Sequence, residues 1–270
     1  MGTVRIVGVL NVTPDSFYEG SRFPSVDAAL RQAEQCLKEG ADYLEVGGES
    51  TGPGSNDVTV AEELERTMPI IEALRRDFPE ALLAIDTWKA TVAGEALARG
   101  VMMVNDVTAG RDPEMFPRVA RSGASLVLMY AKDTSPRTTI REVQYDDVVR
   151  TVMDFLRAQK GIALKAGVAP ERIILDPGLG HFLSSDPCFS LEILARLSEI
   201  VALGSPVLVS PSRKSFLAGR EQLKTAERLP GTIAASAIAV LHGATFIRTH
   251  DVQAVRRGCE IAEEIRRFRP

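Results

Sequence analysis

Eight times along this chain a short, nearly continuous apolar run gives way to a longer segment, in most cases with its apolar residues three and four apart. The runs occupy residues 5–10, 43–46, 81–85, 102–104, 125–129, 172–175, 206–209 and 245–247. A strand wetted on one face alternates apolar and polar residues. A run without alternation is a strand covered on both faces, as parallel strands are beneath crossover helices. Helix-like segments read at 26–38, 60–76, 89–99, 144–165, 190–200, 231–241 and 252–268. Gly40, Gly100 and Gly167 follow three of them, where a left-handed closing residue belongs. Eight strand-helix units in 270 residues match a (β/α)8 TIM barrel, whose usual size is about 250. A doubly wound open sheet is the competitor, but Val12-Thr13-Pro14 follows the first run where that fold carries Gly-x-Gly-x-x-Gly. No linker composition interrupts the chain, so residues 1–270 read as one domain.

The 36 acidic and 32 basic side chains leave a net charge of −4, so bulk charge provides no basis for gripping a nucleic acid backbone. Cys36, Cys188 and Cys259 lie far apart and suggest no disulfide framework, which favours a reducing compartment. The first apolar run, interrupted by Arg5, is too short for a signal peptide, and no stretch approaches the roughly 20 apolar residues of a membrane helix. A cytoplasmic location with no membrane partner is expected.

In such a barrel the active site lies at the carboxyl ends of the strands. Polar residues gather there: Asn11 and the loop to Glu19, Glu49-Ser50-Thr51, Asp86-Thr87, Asn105-Asp106, Asp176, Ser212-Arg213-Lys214-Ser215, and Arg248 with His250. Strand five is poorer, ending Met129-Tyr130. Asp86, Asn105 and Asp176 suit the hydrogen-bonding edge of a heterocycle, because a carboxylate accepts two parallel bonds from adjacent ring N–H and amino groups. Arg248 and His250, two apart, point the same way by strand period and with Asn11 make an expected anion site. An asparagine with acidic loop residues can share magnesium with a diphosphate. Ser212-Arg213-Lys214-Ser215 reads as an anion-binding helix start. The histidines 181, 242 and 250 lack zinc-site spacing, and no Gly-x-Ser-x-Gly or Cys-His pairing points to a covalent nucleophile.

The blocks Gly8-Val9-Leu10-Asn11-Val12-Thr13-Pro14-Asp15-Ser16-Phe17, Gly47-Gly48-Glu49-Ser50-Thr51, Ile85-Asp86-Thr87, Val104-Asn105-Asp106-Val107, Asp176-Pro177-Gly178, Ser212-Arg213-Lys214-Ser215-Phe216 and Arg248-Thr249-His250-Asp251 resemble, in order, the signatures of dihydropteroate synthases. The match is weakest from Met129 to Lys165. The resemblance implies a pterin-binding barrel that joins 6-hydroxymethyl-7,8-dihydropterin diphosphate to 4-aminobenzoate and releases diphosphate. It implies that Asp86, Asn105, Met129, Asp176 and Lys214 hold the pterin, with Asp86, Lys214 and Glu19 catalytic. Asn11, Arg248 and His250 would hold the diphosphate, with Asn11 on Mg2+, and Thr51, Pro53, His181 and Ser215 would line the aminobenzoate pocket. A homodimer is implied too, with Ile238, Val240, Ile261 and Ile265 as apolar residues that serve either an interface or the core.

The chain departs from that family's pattern on the acceptor side. Gly52 stands where an arginine is usual, and Leu179-Gly180-His181-Phe182-Leu183 where the block ordinarily runs through an aromatic residue and a lysine. Glu19 replaces the usual aspartate, and Met129-Tyr130 a common Met-His pair. Losing a guanidinium and an ammonium changes the acceptor side more than the pterin side, so altered sulfonamide sensitivity is expected. The alternatives are a divergent pterin-binding paralogue with other or no acceptor chemistry, and a pterin-dependent methyltransferase domain. The Ser212–Ser215 and Arg248–His250 blocks argue for the synthase.

Overall fold

The computed structural model describes residues 3–11 and 26–268. Its strands are β1 (Arg5–Asn11), β2 (Tyr43–Gly47), β3 (Leu82–Asp86), β4 (Met103–Asp106), β5 (Ser125–Met129), β6 (Ile173–Asp176), β7 (Leu208–Val209) and β8 (Phe246–Thr249). All pair in parallel in the order β6-β5-β4-β3-β2-β1-β8-β7. A bridge between Leu175 and Val207 joins the two outer strands and rounds the sheet into a (β/α)8 barrel. Between strands lie α1 (Val26–Lys38), α2 (Val60–Asp77), α3 (Ala90–Ala98), α4 (Met115–Ser122), α5 (Val148–Lys165), α6 (Pro187–Ala195), α7 (Leu197–Val201) and α8 (Leu229–Leu241), with α9 (Val252–Arg266) after β8.

Strand period explains why the runs read as continuous. Ile6, Leu10, Leu44, Leu83, Ile85, Leu126, Leu128 and Leu175 belong to the large outer core under the helices. Val7, Tyr43, Ala84, Met103, Val127, Ile174, Leu208 and Phe246 form a separate cluster inside the barrel. Successive side chains alternate between these two cores, and each is buried.

The expected glycine closures at Gly40, Gly100 and Gly167 have φ of +91°, +83° and +96°. A capping box of Thr59 and Glu62 opens α2. Several helix assignments differ from the sequence reading. The segment expected from 144 starts at Val148, because the Asp147 side chain accepts from the Arg150 amide and caps it there. The segment 190–200 is two helices that break at Arg196. Helix α4 has only eight residues, too few for a period to stand out, and was not anticipated. The stretch after Lys214 is a four-residue 3-10 turn rather than a helix start. Of the apolar residues on the last helices, Val240 is core, while Ile238, Ile261 and Ile265 are exposed.

After β6 the chain turns tightly at Gly178, whose φ is +67°. A Cβ there would lie 2.3 Å from the Tyr130 carbonyl oxygen. Replacing Gly178 with alanine therefore combines a left-handed residue with a backbone clash, and the Gly178→Ala protein should lose about 2–4 kcal/mol of stability. Urea unfolding checks this: an unmoved midpoint at unchanged slope would contradict it.

Candidate active site

Moving two residues along each strand from the inner apolar layer gives the next inward layer. Above Val7, Tyr43, Ala84, Met103, Val127, Ile174, Leu208 and Phe246 come Val9, Glu45, Asp86, Asn105, Met129, Asp176, Ser210 and Arg248. The barrel thus changes from apolar to polar in a single step toward the carboxyl ends. Registry sets the neighbours: Asp86 lies beside Asn105 on β3 and β4, and Met129 beside Asp176 on β5 and β6.

Glu45 organises this layer and was missed in the sequence, hidden in the run Tyr43-Leu44-Glu45-Val46. Its carboxylate, wholly buried, accepts from Arg248 Nε and from Asn105 Nδ2, the latter at 3.0 Å. A second guanidinium nitrogen of Arg248 reaches Asp86 Oδ2 at 2.9 Å. A lone acidic residue in a run of otherwise apolar strand residues was the signal available. Asn105 has its amide nitrogen held and its carbonyl Oδ1 buried with no partner among the described residues. Asp106 faces its own loop, accepting from the amides of Thr108 and Gly110 at 2.8 and 2.7 Å.

Burial raises the Asp86 carboxyl above the ordinary range, with Arg248 opposing and Glu45 adding to the rise. Burial also brings Asp176 up to about 6, against the pull of Lys214. Lys214 is drawn down to about 8 by burial, with Asp176 opposing and Arg248 reinforcing. Its Nζ donates to the Leu179 carbonyl at 3.1 Å and lies 5.0 Å from the centre of the Phe182 ring. Acids held part-protonated and an amine held part-neutral near pH 7 are groups poised for a polar ligand.

Around this layer stand the loop residues. Asn11 ends β1 with its backbone paired to Gly47, and Glu19 lies outside the described residues. His250 falls one residue beyond β8, so strand period does not set its direction; its Nδ1 is 3.0 Å from the Ser212 hydroxyl. Burial, and after it the Arg248 guanidinium, push its pKa down to about 4, which favours the uncharged ring near neutral pH. The expectation that Arg213 is part of an anion site is corrected: its guanidinium grips both Asp251 oxygens at 2.8 and 2.6 Å and ties two loops together. Thr51 and Pro53 lie on the loop after β2, His181 in a 3-10 turn after β6, and Ser215 after Lys214. A Cβ on Gly180 would lie 3.5 Å from Lys214 and 3.6 Å from the Ser215 hydroxyl, so these two loops touch. Thr51 and His181 do not meet directly; Thr138 stands between them, donating its amide to the Thr51 carbonyl at 3.0 Å and its hydroxyl to the His181 carbonyl at 2.7 Å.

A parallel barrel with a ring of buried acids, an asparagine and two cations at its carboxyl mouth has the form of a site for a flat, polar ring. Residues 7–250 match the family of pterin binding enzymes, and the chain belongs to it. A dihydropteroate synthase of Synechocystis is 40% identical over 96% of this chain and 89% of its own length. An inactive dihydropteroate synthase 2 of Mycobacterium bovis is 38% identical over 98% of this chain and 84% of its own. Among solved structures, a dihydropteroate synthase from Clostridium difficile in the presence of pteroic acid superposes with a TM-score of 0.90 at 36% identity, covering 99% of this chain and 98% of that one.

The buried acids carry a cost that ligand binding would relieve. Asp176 titrates near 6 in the folded chain against 3.8 unfolded. A raised folded pKa weakens folding above that value, and the penalty fades as pH falls toward the unfolded pKa. Asp176→Asn keeps an acceptor for the Gly178 amide, 2.8 Å from Oδ1, while removing the charge. It should add up to about 3 kcal/mol of stability at pH 7.5, with a smaller gain at pH 5. Urea unfolding at both pH values measures this, and an Asp176→Asn protein no more stable than the parent at pH 7.5 would be incompatible with a strained, ionised Asp176.

Proposed function

We infer that the chain is a dihydropteroate synthase, a transferase of folate biosynthesis that condenses 6-hydroxymethyl-7,8-dihydropterin diphosphate with 4-aminobenzoate and releases diphosphate. The observation that carries this reading is the polar inward layer itself, in a chain whose relatives bear that name over nearly their whole length. In this reading the pterin lies across Asp86, Asn105, Met129, Asp176 and Lys214. The unpartnered Asn105 Oδ1 accepts a ring N–H, and the carboxylates of Asp86 and Asp176 accept paired N–H groups from the ring and its amino substituent. Lys214, held near 8, donates to a ring acceptor.

The chemistry is a substitution at the pterin methylene. Its C–O bond to diphosphate breaks, the amine nitrogen of 4-aminobenzoate forms the C–N bond, and that nitrogen loses a proton. The electron-rich floor of Glu45, Asp86 and Asp176 stabilises positive charge at the methylene, so no covalent nucleophile is needed. In this reading Arg248, His250 and Asn11 are the groups that hold the leaving diphosphate. Among the described residues no three acidic, histidine or cysteine side chains gather to hold a metal. Were Mg2+ to accompany the diphosphate, Asn11 would be its protein ligand in this reading, and the ion would supply positive charge for the leaving group. Glu19, outside the described residues, is the third catalytic residue of this reading with Asp86 and Lys214. Thr51, Pro53, His181 and Ser215 line the acceptor pocket, where Gly52 in place of arginine alters sulfonamide affinity.

The working unit is one barrel domain acting in the cytoplasm as a homodimer, and the exposed Ile238, Ile261 and Ile265 offer an apolar face on α8 and α9. The inactive mycobacterial relative favours a second reading, a chain that binds pterin without turnover.

Diphosphate release separates the two. It should depend strictly on 4-aminobenzoate, whereas pterin binding with no release would establish the inactive alternative. Asn105→Ala removes the free acceptor and should weaken pterin diphosphate binding by about 10- to 100-fold, with the KM for 4-aminobenzoate little changed.

A further inference from the structure

The loop from 131 to 147, where the sequence was least informative, crosses the acceptor side of the mouth. Arg137 donates from Nε and Nη2 to the Asn56 carbonyl at 3.2 and 2.6 Å, and its guanidinium also pairs with the carboxylates of Glu49 and Asp57. Its neighbour Thr138, 4% exposed, bridges the Thr51 and His181 carbonyls. Lys132 Nζ reaches the same His181 carbonyl at 2.7 Å and the Thr138 hydroxyl at 2.9 Å, and its amide donates to the Phe182 carbonyl at 2.8 Å. One segment therefore links the two loops on which the expected acceptor residues lie.

Charge decides how firmly that link is held. Glu49, with a side chain 3% exposed, also accepts from Lys89 and from Trp88 Nε1, and Lys89 pairs with the fully buried Glu63. Lys89 alone faces two buried carboxylates, Glu49 and Glu63, and Arg137 brings the second positive charge. A buried charge without a counterpart is costly, so the balance draws the 131–147 loop down onto the loop after β2. That second loop holds itself at Gly52 only by a local turn, the Gly52 carbonyl accepting from the Ser55 hydroxyl at 2.7 Å and amide at 3.3 Å.

We propose that Arg137 is a positioning residue for the acceptor: by pairing with Glu49 and gripping Asn56 it fixes the spacing between Thr51 and His181, and so the pocket that receives the aromatic amine. The proposal rests on the synthase reading for the identity of that amine. Arg137→Ala in the full-length protein should raise the KM for 4-aminobenzoate about tenfold, with kcat and the KM for pterin diphosphate within about twofold of the parent. Arg137→Lys should recover part of the loss. If the alanine variant folds poorly, Arg137→Ala with Glu49→Gln removes the excess charge without restoring the grip, and should fold while keeping the raised acceptor KM. An unchanged acceptor KM overturns the proposal, as does a rise shared equally by both substrates. Amide hydrogen exchange in the free protein reads the link without turnover. Arg137→Ala should speed exchange at Thr138 and Ser55 about tenfold or more, with β1 to β4 unchanged. A parent with no aminobenzoate-dependent release would defeat the synthase reading, and exchange then decides the link: unaltered rates at Thr138 and Ser55 overturn it.

Discussion

The Glu45 carboxylate is what allows the mouth of this barrel to be polar. Inside a closed parallel sheet there is little water to solvate a charge, so each polar side chain of the inward layer needs a partner within that layer. Glu45 accepts from Asn105 on one side and Arg248 on the other, and Arg248 reaches on to Asp86. Four strands, β2, β3, β4 and β8, are thereby locked into one orientation. Without that carboxylate the guanidinium would have only Asp86, and the Asn105 amide would be free to rotate and offer the wrong edge.

The layer is nevertheless not neutralised. Glu45, Asp86 and Asp176 face Arg248 and Lys214, three potential negative charges against two positive. The shifts in Asp86, Asp176 and Lys214 have burial as their main cause, which favours the uncharged form of each. A ring with several N–H donors satisfies such a site better than water does, because its donors come in the spacing of carboxylate oxygens. Instability in the free protein and complementarity to the ligand are then one property of the same residues.

How much of this was legible follows from what a local pattern can encode. The eight strands were readable because burial on both faces erases alternation, and the helix ends at Gly40, Gly100 and Gly167 because only a left-handed residue closes them. Asp86, Asn105, Asp176 and Arg248 were readable because they break an apolar run at its carboxyl end. Glu45 breaks a run in the middle, where a single charge is easily passed over as an exposed residue. Helix α4 is too short for a period, and the Asp147 cap that delays α5 outweighs an apolar pattern that begins earlier. Arg213 was misjudged because its partner Asp251 lies 38 residues away, and spacing says nothing about that.

The same distinction separates the two halves of the site physically. Asp86, Asn105, Met129, Asp176 and Arg248 project from strands whose direction is fixed by backbone pairing, so each is placed by its register, whereas Lys214 reaches in from the loop after β7. Thr51, Pro53, His181 and Ser215 sit on loops after β2, β6 and β7, and the first two of those loops are joined by the 131–147 segment: the Thr138 amide to Thr51, the Thr138 hydroxyl to His181, and Arg137 to Glu49 and Asn56. A strand-borne residue cannot be exchanged without losing its place in the layer. A loop has no such register, and its position depends on a stable distance to the elements it touches rather than on a particular residue.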